Sequence, residues 1–165
     1  PNGKPNWKFN TDVNIEFSNA FFNCGSELDL SIDEEYILDL SECGQIKCTN
    51  YVNVFNNSAF TKLIVNVDTY RGLNSGDHRN SFYSSKLKEL SFVEGSIWGP
   101  DMRGTFNMSN ATTVDLSNLD IGHVTLGANT AFNNLPNVVD FKFGSGWQYS
   151  TSFSNDRKLS RESLL

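Results

Sequence analysis

Apolar residues recur along the chain in a three-point skeleton. A Phe is followed by an apolar residue eight positions on and another at ten, as in Phe106, Val114 and Leu116. The same skeleton recurs at Phe82, Leu90, Phe92 and at Phe55, Leu63, Val65. It recurs once more, stretched by one residue, at Phe132, Phe141, Phe143. A spacing kept four times marks a repeat architecture. The short pairs Ile15-Glu-Phe17, Leu38-Asp-Leu40, Leu63-Ile-Val65, Leu90-Ser-Phe92, Val114-Asp-Leu116 and Phe141-Lys-Phe143 begin 23, 25, 27, 24 and 27 residues apart. Apolar-x-apolar is the period of a strand with one buried face. The pairs therefore predict parallel strands stacked about 4.8 Å apart, with equivalent repeat positions in register. Between them lie turn-rich stretches such as Gly95 through Gly104 and Gly144-Ser-Gly146. Segments such as Phe55-Asn-Asn-Ser-Ala59 are poor in helix formers, which predicts short irregular connections.

The N-terminal part is less regular. Phe22 also has Leu30 and Ile32 at the required spacings, which would place a strand at 30–32, whereas the ladder of pairs places one at 38–40. The two are too close to be equivalent positions of successive repeats, so either one turn carries strands on two faces or residues 20–50 form a degenerate capping repeat, and the second is the expectation. Residues 1–13 read as an irregular lead-in whose Trp7 and Phe9 cover the open end of a core, as terminal repeats require. Residues 14–145 read as a solenoid of about five to six repeats. Residues 146–165 read as a closing cap. There Ser160 stands as N-cap before Arg-Glu-Ser-Leu-Leu165 and predicts the start of a helix.

Some of these residues resemble a known family. Asn19-Ala-Phe-Phe-Asn-Cys24 and Thr130-Ala-Phe-Asn-Asn-Leu135 are similar to the Ala-Phe-x-Asn-Cys/Leu element of BspA-like leucine-rich repeats. The apolar-x-x-apolar-x-apolar strand signature resembles that group too, as at Phe60, Leu63, Val65 and at Ala111, Val114, Leu116. Leu159-Ser-Arg-Glu-Ser-Leu-Leu165 looks like the start of the closing helix seen after such repeats. The resemblance implies a mostly β leucine-rich-repeat solenoid, with a curved parallel β-sheet and short irregular convex segments. It also implies display at the surface of a bacterium or on a phage virion, for adhesion or binding. The chain departs from the pattern in its uneven repeat lengths and in Gly127-Ala-Asn-Thr, which stands where Ile-Gly is usual.

In such a solenoid the residues flanking each buried pair line the concave face, the default binding surface. The candidate binding residues follow from that placement. They are Glu16, Asp39, Ile64, Ser91, Asp115 and Lys142 in the middle column, and Lys62, Glu89, Thr113 and Asp140 in the leading one. The set is small, polar and of mixed sign, without the aromatic and Arg anchors that dominate many hot spots.

Charge narrows the partners. The 165 residues carry a net charge of −6, with pI about 4.8 and no clustered Lys or Arg. Nucleic acid and anionic membrane surfaces are therefore not expected partners. No apolar run has the length of a membrane span, so no membrane insertion is expected. No signal peptide is visible, and a chain opening on Pro1 without Met reads as cut or processed from something longer. Cys24, Cys43 and Cys48 form an odd set, which argues against a disulfide framework. Buried thiols are the expectation, with a Cys43–Cys48 bridge as the alternative.

Chemistry is sparse. His78, in the turn Gly76-Asp-His-Arg79, and His123, in Ile121-Gly-His-Val124, are expected in solvent. No metal-site, calcium-loop or nucleophile-elbow pattern is present, so no cofactor, metal or catalytic residue is predicted. Trp98 and Trp147 follow Gly turns and are expected to cover the core, with sugar stacking as the alternative. The glycosylation patterns at Asn56, Asn107 and Asn110 are expected by chance in so Asn-rich a chain. The expected function is a non-enzymatic interaction module binding a protein or glycan. One alternative is a structural or host-recognition component of a phage virion, mating with neighbouring subunits. A second is a β-helix enzyme acting on polysaccharide.

Overall fold

A computed structural model of the chain describes residues 5–10, 12–27, 35–70, 77–84, 86–148, 153 and 158–160. The backbone winds as a parallel β-solenoid of about four turns. Each turn gives one strand to a first sheet and, after a tight corner, one to a second. The first sheet is five-stranded, ordered β1 (Ile37–Asp39), β3 (Lys62–Val65), β5 (Glu89–Phe92), β7 (Thr113–Asp115) and β9 (Asp140–Lys142). The second is four-stranded, ordered β2 (Ile46–Lys47), β4 (Val67–Asp68), β6 (Ser96–Ile97) and β8 (Leu119–Asp120).

The register follows the repeat. Leu38, Leu63, Leu90, Val114 and Phe141 pair in one row of the first sheet, all facing inward. Their neighbours face outward, as strand alternation requires. The strands end on a recurring side-chain device. Asp39 Oδ1 accepts the N–H of Ser41 at 2.9 Å, and Asp115 Oδ1 that of Ser117 at 3.0 Å. Asp68, Asp101 and Asp120 do the same for Tyr70, Arg103 and Gly122 at 2.9–3.1 Å. Such Asx bonds offer the backbone an alternative to the ladder and bend it into the corner.

The third flank has almost no regular structure. Its turns are joined by backbone bonds such as Phe21 N–H to Val54 O, Phe55 N–H to Ser81 O, Phe82 N–H to Thr105 O and Phe106 N–H to Ala131 O. Asn19, Asn53 and Asn80, with Gly104, hold φ of 54–60° at equivalent places in successive turns. Asn tolerates that left-handed region better than other non-Gly residues, which accounts for part of the Asn-richness. The one short helix among the described residues is a 3-10 turn, Ala128–Thr130.

A column of parallel rings fills this side of the core. Phe21, Phe55, Phe82, Phe106, Phe132 and Phe153 stack in order with centroids 5.1–5.6 Å apart and planes within 14°. Trp98, fully buried, packs beside Phe82, Phe92 and Phe106. Each such pair adds about 0.5–1.5 kcal/mol beyond area burial. Cys43 and Cys48 are buried thiols, and Cys24 is exposed.

Several expectations change. The pair Ile15-Glu-Phe17 does not begin the first sheet. Ile15 bridges Cys48, beside β2, so it adjoins the second sheet. An apolar-x-apolar pattern fixes alternation but not which sheet a segment joins. Phe21, not Phe22, enters the ring column, and Phe22 is exposed. The strand considered at 30–32 lies outside the described residues, and so do 161–165, where a helix was expected. Phe153 stacks on Phe132, and Ser160 N–H donates to Val139 O as Val139 N–H does to Thr112 O. The chain therefore keeps both columns beyond β9. A single curved sheet was expected, and the second sheet is additional.

Candidate interaction face

The outer face of the first sheet gathers nine of the ten predicted residues. Asp39, Ile64, Ser91, Asp115 and Lys142 form one row, each paired with the next. Lys62, Glu89, Thr113 and Asp140 form a second, which begins at Ile37. Glu16 is not among them, because Ile15 lies beside β2. Its carboxylate instead accepts Asn50 Nδ2 at 3.1 Å and the Ser18 N–H at 3.0 Å. Those bonds from Ser18 and Asn50 hold the Glu16 carboxyl below its ordinary range.

Charges on the face are cross-linked between neighbouring strands. Lys62 Nζ lies 2.6 Å from Glu89 Oε2, and this bond raises the lysine above its usual range. Lys142 Nζ lies 2.8 Å from Asp115 Oδ2. Partial burial opposes ionisation of Asp115, but bonds from Lys142 and Ser117 outweigh it and lower the carboxyl. Both pairs are solvent-accessible, so they contribute little to stability and mainly order the side chains. The outcome is a mixed-sign array on rigid, in-register strands. Ile37 and Ile64 supply its half-buried apolar part.

Both histidines differ from the solvent-loop expectation. His78 is fully buried, edge-on to Trp98 at 5.8 Å. Among the described residues neither of its ring nitrogens has a hydrogen-bond partner of proper geometry, although the Thr49 backbone is close. Burial pushes its pKa down to about 4, against the opposing pull of Asp101 and Asp77. His123 is half-exposed and stacks on Tyr70 at 3.9 Å and 11°, above Gly99, where a Cβ would collide with His123. Its Nε2 is 3.8 Å from Asp120 Oδ2. Trp98 covers core as expected, and Trp147 packs on Phe132 and Phe143 at the C-terminal end.

Two arrangements were not foreseen. On the third flank, Asp77–Arg79 and Asp101–Arg103 form matching fork pairs, each with an Nη2–Oδ2 distance of 2.6 Å. The repeated Asp-x-Arg in Asp77-His-Arg79 and Asp101-Met-Arg103 was the signal available for this. The other is a cleft of about 360 Å³ at the corner between the sheets, assembled from three successive turns and including Glu94, Asn118, Asp120 and Ser145. No local sequence pattern announces it. Among the described residues no group of three His, Cys, Asp or Glu could hold a metal ion, and no helix is long and apolar enough to cross a membrane. No family model, no curated protein and no solved structure matches this chain.

Proposed function

We propose that the chain is a non-enzymatic interaction module, a solenoid of the BspA-like leucine-rich-repeat kind carried on a bacterial surface or a virion. It binds a protein or glycan across the outer face of the first sheet. The observation that carries this reading is the five-strand in-register sheet, which holds two rows of outward side chains at fixed spacing. A solenoid presents such a face as one extended, rigid array, and rigidity lowers the ordering cost of binding. Glu89 and Asp115 are each tied to a lysine. That commitment suits recognition better than acid–base work, which favours an interaction module over a polysaccharide-cleaving enzyme.

The test is a screen of the purified chain against immobilised glycans and surface proteins, with its mass measured in solution. The expected result is saturable binding by a monomer. Binding falls by about tenfold or more in Asp115→Ala/Lys142→Ala, a loss of about 1.4 kcal/mol. Tyr83→Ala, exposed on the third flank, leaves it unchanged. A folded chain that binds nothing and forms a closed oligomer would replace this reading with an assembly role.

A further inference from the structure

The corner cleft is rimmed by Glu94, Ser117, Asn118, Asp120 and Ser145, with Ile97 as its apolar part. Its hydrogen-bonding capacity is lopsided. The Glu94 carboxylate is exposed and makes no hydrogen bond or ion pair among the described residues. Asp120 uses Oδ1 on the Gly122 N–H at 2.9 Å, and its Oδ2, 3.8 Å from His123 Nε2, keeps acceptor capacity. Asn118 gives one Nδ2 hydrogen to the Phe92 carbonyl at 3.1 Å, which leaves its carbonyl oxygen and one N–H. Ser117 gives its hydroxyl proton to Asp115 Oδ1 at 2.6 Å, which leaves its lone pairs. Ser96 is turned inward toward the Val65 carbonyl. Among the described residues the side-chain donors that remain are the second Asn118 N–H and the Ser145 hydroxyl, and no Lys or Arg lines the cleft.

A cleft with two carboxylates, a majority of acceptors among its unspent groups and no Lys or Arg fits a cationic ligand with several donors. Guanidinium and ammonium groups have that inventory. A sugar hydroxyl brings an acceptor with every donor and would set oxygen lone pairs against one another. The chain's net charge of −6 adds a negative field that a concave site concentrates. The volume lies at the low end of small-molecule sites, which run from about 300 to 1,000 Å³, and suits a single side chain. The walls are held in place, since Gln45 Nε2 donates to the Gly95 carbonyl at 2.9 Å from an earlier turn. Ser117 belongs to both cleft and sheet edge, so a partner lying on the face near Asp115 and Lys142 would reach the cleft.

We propose that this cleft captures a basic side chain, arginine or lysine, of a protein partner that lies across the first sheet. This inference rests on the interaction reading above and gives the partner its chemistry. The probe is N-acetyl-arginine N-methylamide, with the citrulline analogue as its uncharged isostere, titrated into the 15N-labelled chain at low salt. The expected result is saturable weak binding, with amide shifts confined to Gly95, Ser117, Asn118, Gly122 and Ser145. Affinity falls about tenfold in Glu94→Gln/Asp120→Asn, and measurably in Glu94→Gln alone, where the exposed site carries no folding risk. Added salt weakens the binding. Equal binding of citrulline, or binding that survives both substitutions, overturns the proposal. So does calcium chloride alone producing the same shifts at lower concentration than the arginine derivative. Array binding that persists while the arginine derivative fails would sink the cleft alone. Arginine binding with a silent array would sink the wider interaction reading and leave the cleft.

Discussion

His78 makes the stability of this protein sensitive to mild acid. The ring is fully buried, neither nitrogen makes a well-formed hydrogen bond among the described residues, and its pKa falls from 6.5 to about 4. The folded state therefore favours the neutral ring, while the unfolded chain takes up a proton at about pH 6.5. The contribution is fully present above pH 6.5 and is lost as pH falls through 6.5 toward 4. A gap of two to three units, at about 1.4 kcal/mol per unit, gives roughly 3 kcal/mol in total, most of it gone by pH 4.5. Asp77 and Asp101 lie nearest and are already paired with Arg79 and Arg103, so they do not rescue the charged ring. The assay is urea unfolding followed by tryptophan fluorescence between pH 7.5 and 4.5, read as midpoints at constant slope. In His78→Leu a buried ring with poorly satisfied nitrogens disappears, which offsets about 1–3 kcal/mol against a shape mismatch of about 1–1.5 kcal/mol. The variant is thus expected to be at least as stable as wild type at pH 7, with most of the slope between pH 6.5 and 4.5 removed and only the carboxylate part near pH 4.5 left. A wild type that is flat over that window, or a variant that keeps the slope, refutes the reasoning.

Other outcomes follow from the packing. Phe82→Ala removes a ring stacked on both sides and should cost about 3–5 kcal/mol in urea unfolding, whereas Phe21→Ala, half-buried near the end of the column, should cost clearly less. The same core penalty holds for Phe106→Ala. Sequence pattern alone puts Asp115→Ala below about 0.5 kcal/mol, but the bonds to Ser117 and Lys142 raise the expectation to about 1 kcal/mol. Equal losses for Phe106 and Asp115 would mean the inward and outward assignments are wrong. Gly95 and Gly127 both hold positive φ, but a Cβ at Gly95 meets nothing, while one at Gly127 overlaps Arg103 side chain and backbone. Gly95→Ala should cost about 1–2 kcal/mol from conformation alone, and Gly127→Ala about 1–3 kcal/mol more, measured in the same way.

Much of the first sheet is legible in the sequence. The pairs at 38–40, 63–65, 90–92, 114–116 and 141–143 align in the structure because one inward position per turn must meet its equivalent in the next. A Phe eight or nine positions before the pairs at 63, 90, 114 and 141 marks the ring column for the same reason. The second sheet was hidden, since two-residue strands such as Ile46–Lys47 have no alternation to detect. Ile15-Glu-Phe17 has the alternation but pairs elsewhere, and Glu16 left the predicted face with it. His78 sits among Gly, Asp and Arg, a solvent-like neighbourhood along the chain, yet Trp98 from the next turn buries it. The cleft draws Glu94, Asn118 and Ser145 from three turns, so only the stacking of turns brings its acceptors together.

The face, the ring column and the cleft all depend on neighbouring turns lying parallel and in register. Ser91 and Asp115 are direct partners on adjacent strands, whereas Ile64 and Asp115 are two strands apart. At about 4.8 Å per strand the first pair is within disulfide reach and the second, at about 9.6 Å, is beyond the limit of about 7 Å. The direct measurement is intramolecular disulfide formation in Ser91→Cys/Asp115→Cys and Ile64→Cys/Asp115→Cys, with exposed Cys24 replaced by Ser. The account predicts that the first variant closes readily as a monomer and the second does not. Closure of the second, or failure of the first in a folded chain, would contradict it.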